Sequence, residues 1–402
     1  MSSSSSVCCV LVCALLCASC SDGSGSAPKE NNANPSLFAK KQAVLAQLSS
    51  EVIEPTLAAF VDDAQALEGA VAQWAQDPSE PNAVAARQAY AQAQDTWQRA
   101  ELYQVGPLGN MGDVAGGQGA RDEIYSWPIV SACKVDQELV ANDFSDPDAF
   151  ASRLPNLRGL DALGYLLFAQ GTDNACSANS AINTDGSWSA LDEQTLTQRR
   201  AAYARTLTVL LSARAASLRS SWSQEFGAQY AAAGTSSSEV FGSVQEALNA
   251  TSDALFYLEK ETKDMKLGGP AGITQNCEGQ ACAVYVEAST TGLSKAHVIA
   301  NLEAFKAAYL GHLESEDDGP GFDDLLLEVG AQEVDAQMRE RIEGALVAAR
   351  ALPEDMAAAT ATSDPKLAQA YDAIKALTDL IRTQFISVLD LELPQRAEGD
   401  ND

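Results

Sequence analysis

The sequence predicts an all-α protein made of two packed helical bundles with a cleft between them. Three observations carry this. The chain is rich in Ala, Leu, Gln and Glu and poor in β-branched runs, a composition that favours helix over strand. Its apolar residues recur at three- and four-residue steps, the period of a helix with one buried face. A small, polar stretch, Ala231 to Ser238, divides the periodic segments into two groups. The groups echo one another: Val105-Gly106-Pro107 ends a helix in the first, and Gly268-Gly269-Pro270 ends one in the second.

In chain order, Val7 to Ala18 is an apolar run too short to span a bilayer as a helix, and small residues and Cys20 follow it. It reads as a secretory leader with its cleavage site. Cys17-Ala18-Ser19-Cys20 resembles a bacterial lipobox, so residues 1–20 are a lipoprotein signal peptide and Cys20 the lipidated first residue of the mature chain. Cys17 is the alternative acceptor, and an ordinary secreted protein the alternative reading. Residues 21–36, Ser/Gly/Asn-rich and aperiodic, form a flexible tether. Ser21 after the lipidated Cys points to the outer membrane, with the protein facing the periplasm. The membrane, reached through this anchor, is the first expected partner.

The N-terminal bundle is expected over 37–232. Residues 37–76 form a helix or helix pair interrupted near Pro55. Residues 82–104 form the next helix, with Ala86, Tyr90, Ala93, Trp97 and Ala100 on one face and Gly106-Pro107 as its stop. Residues 108–157 read as irregular. Gly109, Gly112, Gly116, Gly117 and Gly119 have neither the preceding strand nor the following Lys-Ser/Thr of a phosphate-binding loop, so this segment covers a cleft or the surface. A short helix follows Pro155. A helix from about 193 to 226 then buries Tyr203, Leu207, Leu210, Leu211, Leu218 and Trp222. The C-terminal bundle is expected over 239–402, with helices at about 239–264, 293–315, 333–351 and 365–390.

The formal net charge is −29, which argues against nucleic acid and anionic membrane surfaces as partners. It suits a cation-handling protein, or simply a solvated acidic surface. Of the 9 cysteines, four lie beyond the leader: Cys133, Cys176, Cys277 and Cys282. An even number in an oxidising compartment suggests two disulfides, Cys277–Cys282 closing a small loop and Cys133–Cys176 joining two segments of the first half. A zinc site competes with this reading but lacks a CxxC.

The most informative stretch is Arg158-Gly159-Leu160-Asp161-Ala162-Leu163-Gly164-Tyr165-Leu166-Leu167-Phe168. It resembles the signature helix of the imelysin-like family of bacterial envelope proteins, whose motif reads Gly-x-His-x-x-Glu before an aromatic-apolar run. Gly159 and the run from Tyr165 to Phe168 match; Asp161 stands at the His position and Gly164 at the Glu position. Further patches follow in the family's order: Ala89-Tyr90 to Trp97, Glu101, Gly106-Pro107, Trp127-Pro128, Lys263 to Gly268, Asn301 to Gly311 and Gly321 to Leu326. The tail Gly399-Asp400-Asn401-Asp402 resembles the end of the lipoprotein branch. The resemblance implies a two-bundle helical fold, an envelope location and association with iron or other metal uptake. Peptidase activity is claimed for some members, but this chain lacks the two residues that would carry it.

On a helix the motif's two positions project from one face, as a metal pair requires. Asp161 can still supply an oxygen to a divalent metal ion, with a helix-dipole or Arg158 partnership as the structural alternative. The resemblance puts a cleft-facing acid at Glu101, a metal ligand or polar anchor with a solvated helix face as the alternative, and His297, near the start of a helix expected to border the cleft, is the further candidate metal ligand. Trp97, Arg158, Gly159 and Tyr165 are expected at the cleft, with core packing as the alternative for Trp97. The two histidines, His297 and His312, are about 22 Å apart along one expected helix at 1.5 Å per residue and cannot share a metal. The Glu314–Asp318 cluster starts like an EF-hand loop but puts Leu325 where the closing Glu belongs. No Gly-x-Ser-x-Gly elbow is present. The sequence therefore points to a non-catalytic, lipid-anchored binding protein linked to metal uptake and docking with an envelope transport partner. The alternatives are a metallopeptidase with an altered ligand set and a protein-interaction module.

Overall fold

The computed structural model describes residues 35–313 and 319–394. The expected signal peptide, Cys20, nearly all of the tether, the Glu314–Asp318 cluster and the acidic tail lie outside them. All regular structure among the described residues is helical.

Helix α1 runs without a break over Pro35–Gln76. Pro55 does not interrupt it, contrary to the sequence reading. A wider π turn, Leu48–Ile53, precedes the proline, which then sits in the first turn of the next regular stretch, where its missing N–H costs least. By length and composition α1 could cross a membrane, yet over half of its apolar window is buried in the protein. Helix α2, Glu80–Ala100, starts with Pro81 in its first turn and buries the expected face, Ala86, Tyr90, Ala93, Trp97 and Ala100. Trp97 packs on Phe60 of α1 at a ring separation of 5.2 Å.

The segment 108–157 is more ordered than its glycines suggested. It contains Ala120–Ile124, α3 at Ala132–Ala141 and Pro147–Ala151. Side-chain caps start two of them: Ser131 accepts from the Lys134 N–H, and Asp146 from those of Asp148 and Ala149. Helices this short carry too few turns to show a period. Helix α4, Gly159–Phe168, lies against α5, Glu193–Ser221, and α5 packs along α1. Asp192 caps α5 through the Thr195 N–H at 2.7 Å.

The second group holds α6 (Val244–Leu255), a π segment (Leu258–Gly268), α7 (Ser294–Leu310), α8 (Gln332–Arg350) and α9 (Pro365–Leu380). Helix α9 packs on α8 and on the π segment, and α7 on α8. Helix α7 stops at Leu310, five residues short of the expectation, because Gly311 turns left-handed at φ 78°. His312 therefore follows the helix instead of riding on it. The two groups meet where α2 packs on α7. Both disulfides form as expected, Cys133–Cys176 and Cys277–Cys282.

Candidate functional site

The site begins with the start of α4. Gly159 has φ +83°, a conformation costly for any residue with a side chain. A Cβ there would also lie 2.6 Å from Ser126 Oγ and 2.9 Å from the Tyr125 carbonyl oxygen. Only glycine lets the helix start press against residues 124–126, and the Asp161 N–H then donates to the Tyr125 oxygen at 3.1 Å. The contact fixes Asp161 beside Tyr125.

Asp161 opens into a pocket of about 340 Å³ between the halves of the chain. One wall comes from Tyr90 of α2, Tyr125 and Trp127, with Tyr165 of α4. The other is the turn after the 3-10 helix Gly279–Tyr285, carrying Val286 and Glu287. Each disulfide is adjacent in sequence to a wall: Ala132 precedes Cys133, and Val284 lies two residues past Cys282. Burial, reinforced by the Glu287 charge, pushes the Asp161 carboxyl up to about 7. That carboxylate has no hydrogen bond or ion pair among the described residues.

Behind the pocket lies a buried polar network that ties the two groups together. Lys266 Nζ, 1% exposed, donates to Glu101 at 2.8 Å, to Asn301 Oδ1 at 2.9 Å and to Gln98, and pairs with Glu287 at 3.1 Å. Tyr257 donates to Glu101 at 2.7 Å, and Tyr125 to Glu287 at 2.7 Å. His297 Nδ1 stands 3.1 Å from the other Glu287 oxygen. Burial alone would raise the Glu287 carboxyl, but Lys266 and His297 beside it hold it well below the usual carboxylate range. Burial pushes the Tyr90 and Tyr125 phenols up, so both remain proton donors.

The structure separates the residues expected to share a site. Asp161 and Tyr165 line the pocket. Glu101 is wholly buried in the network, held by Lys266 and Tyr257. His297 does not line the pocket but touches its wall from behind, at Glu287 and edge-on at Tyr125. Trp97 is a core residue at 0% exposure, because its face of α2 meets Phe60. Arg158 pairs with Glu123 at 2.7 and 3.1 Å, not with Asp161, and lines a separate surface cavity with Gly159. No three His, Cys, Asp or Glu side chains among the described residues are grouped to hold a metal. Glu287, Lys266, Tyr125 and Tyr90 are the site residues that sequence reasoning missed. Tyr90 was placed on a buried face and Lys266 in a family-like patch, but Glu287 sits in an aperiodic turn that gave no signal.

The imidazole–carboxylate metal pair of the signature motif does not fit this chain. Asp161 replaces the imidazole. At Gly164 a Cβ would meet the Tyr90 hydroxyl at 2.4 Å, so a longer side chain has no room there. That hydroxyl is itself fixed, donating to the Leu160 oxygen at 3.1 Å and accepting from Gln94 at 2.8 Å. What remains, among the described residues, is one carboxylate without a hydrogen bond or ion pair, facing the pocket.

Fold and site define a class of protein: two helical bundles enclosing a small acidic pocket beside a glycine-initiated signature helix. The imelysin family model matches residues 53–384, and the chain belongs to that family. No curated protein matches it. Among solved structures, it is similar to a protein described as an iron-regulated protein A precursor from Parabacteroides distasonis, at 18% identity and a TM-score of 0.69 over 90% of this chain and 97% of that one. It is also similar to an imelysin-like protein from Psychrobacter arcticum, at 16% identity and a TM-score of 0.65 over 89% and 98%.

Proposed function

We propose that this imelysin-family protein is a non-catalytic binding protein of the cell envelope, anchored to the outer membrane through Cys20, facing the periplasm, and serving the uptake of iron or another metal. Its ligand enters the pocket at Asp161. The observation that carries the reading is the pairing of an unpartnered Asp161 with a motif whose second position is filled by Tyr90: the site keeps a charge to bind with and has lost the means to hydrolyse. The uptake role leans on the family and on the name of the Parabacteroides relative. The anchor leans on the lipobox-like Cys17-Ala18-Ser19-Cys20.

Growth under iron limitation tests this. A strain lacking the protein should grow poorly, wild type should restore it, and Asp161→Asn should not. Equal rescue by Asp161→Asn would remove the pocket from the function, and normal growth of the deletion strain under iron and other metal limitation would remove the uptake role. Cys20→Ala should release the protein from the membrane fraction. Metal-dependent cleavage of a broad peptide panel would overturn the non-catalytic reading.

A further inference from the structure

Resting on the reading of the Asp161 pocket as the binding site, we propose that its ligand presents an organic ammonium group, primary or methylated, and is not a bare metal ion. Among the described residues that line the pocket, Asp161 carries the one charge without a hydrogen bond or ion pair. Glu287 also lines it, but Lys266, His297 and the Tyr125 hydroxyl already hold that carboxylate. Lys266 itself does not line the pocket. With its carboxyl raised to about 7, Asp161 gives the space up to one negative charge, and a single bound cation would hold it ionised.

The rest of the wall selects the kind of cation. A bare hard ion wants about six or more oxygen ligands, and softer metals want imidazole or thiolate. Ser289, Thr290 and Thr291 also line the wall, but among the described residues no group of three His, Cys, Asp or Glu forms around Asp161, and the three phenol oxygens are turned to protein partners. Tyr90 donates to the Leu160 carbonyl, Tyr125 to Glu287, and Tyr165 to both oxygens of Asp136, at 3.0 and 2.9 Å. The phenols stay protonated, which suits hydrogen bonding within the wall and not metal ligation. Tyr90, Tyr125, Tyr165 and Trp127 all line the pocket, Tyr165 half-buried and the other three buried. One carboxylate among aromatic rings is the setting in which ammonium groups are held by charge and by ring quadrupoles together. At about 340 Å³ the space suits a small organic group and far exceeds a single ion.

Calorimetric titration of the mature chain, beginning after Cys20, tests this with n-butylammonium and tetramethylammonium, with tert-butanol as the neutral control, and with ferric, zinc and calcium ions. We expect one saturable site for at least one ammonium probe, none for tert-butanol, and an affinity about ten- to a hundredfold weaker in Asp161→Asn, the range set by losing a charged hydrogen-bond partner. A thermal melt of Asp161→Asn confirms that it folds. Tyr165→Leu, on the half-buried side of the wall, should weaken the ammonium probe and, by taking a donor from the buried Asp136, lower the melting temperature while leaving a cooperative melt. Ammonium binding unchanged by Asp161→Asn would overturn the proposal. So would metal binding lost in Asp161→Asn with no ammonium binding, an outcome that leaves the pocket as the functional site. No binding of any probe at Asp161 would overturn both.

Discussion

Replacing Lys266 by Met should destabilise the protein by about 3–5 kcal/mol at pH 7, the usual cost of removing one partner from a buried ionic group. Lys266 is 1% exposed and faces two carboxylates, Glu101 at 2.8 Å and Glu287 at 3.1 Å, themselves fully buried. Methionine keeps much of the volume but leaves both acids without their shared cation. The pH dependence should change sign as well. In the wild type, Glu287 is held below its ordinary value of 4.5, so its contribution is present above that value and is lost as pH falls toward the folded-state value. In Lys266→Met, burial dominates and raises the Glu287 carboxyl. Its contribution is then present below 4.5 and is lost as pH rises through the raised value. Urea unfolding at pH 7 and at pH 4 measures both effects through midpoint and slope. The gap between the two proteins should be widest at pH 7 and narrow at pH 4. A gap below about 1 kcal/mol at pH 7, or one that does not narrow on acidification, would refute the network as the tie between the bundles.

Three further outcomes are expected. Asp161→Asn should stabilise the protein above pH 7: a carboxyl raised from 3.8 to about 7 contributes stability that is complete below 3.8 and lost as pH rises through 7, a loss of up to about 4 kcal/mol that the amide avoids. Melting curves at pH 5 and pH 8 read this, and a stability difference independent of pH would count against the raised carboxyl. Gly164→Ala should cost about 1–3 kcal/mol by pressing its Cβ on the Tyr90 hydroxyl, and should cost less in a Tyr90→Phe background, a coupling that a double-mutant cycle by urea unfolding resolves. Gly159→Ala should cost at least about 1–3 kcal/mol from φ alone, with a further penalty from the contact with Ser126; a neutral result in the same assay would mean that α4 can start in another way.

Periodicity made the helices readable. The Tyr90–Trp97 face, the long α5 stripe and the Pro365 helix start were all visible because burial repeats along one helix. Pro55 misled because a π turn absorbs what would otherwise be a break, and a single wide turn leaves no mark on the apolar period. The site was legible only in part. Gly159 and Asp161 stood out through the signature helix, but the partners of a buried charge come from distant segments. Glu287 meets Lys266, Tyr125 and His297 across gaps in sequence that no local pattern spans. Glu101 was noticed as an acid next to a helix end; that it faces a buried lysine instead of a ligand depends on the π segment Leu258–Gly268 bringing Lys266 against the end of α2.

The central claim is that the unpaired Asp161 carboxylate holds a positively charged ligand. Native mass spectrometry of the protein purified from its own envelope, with Asp161→Asn beside it, tests this most directly. The account predicts a bound species on the wild type that is missing from the variant. The same bound species on both proteins, or none on either, would contradict it.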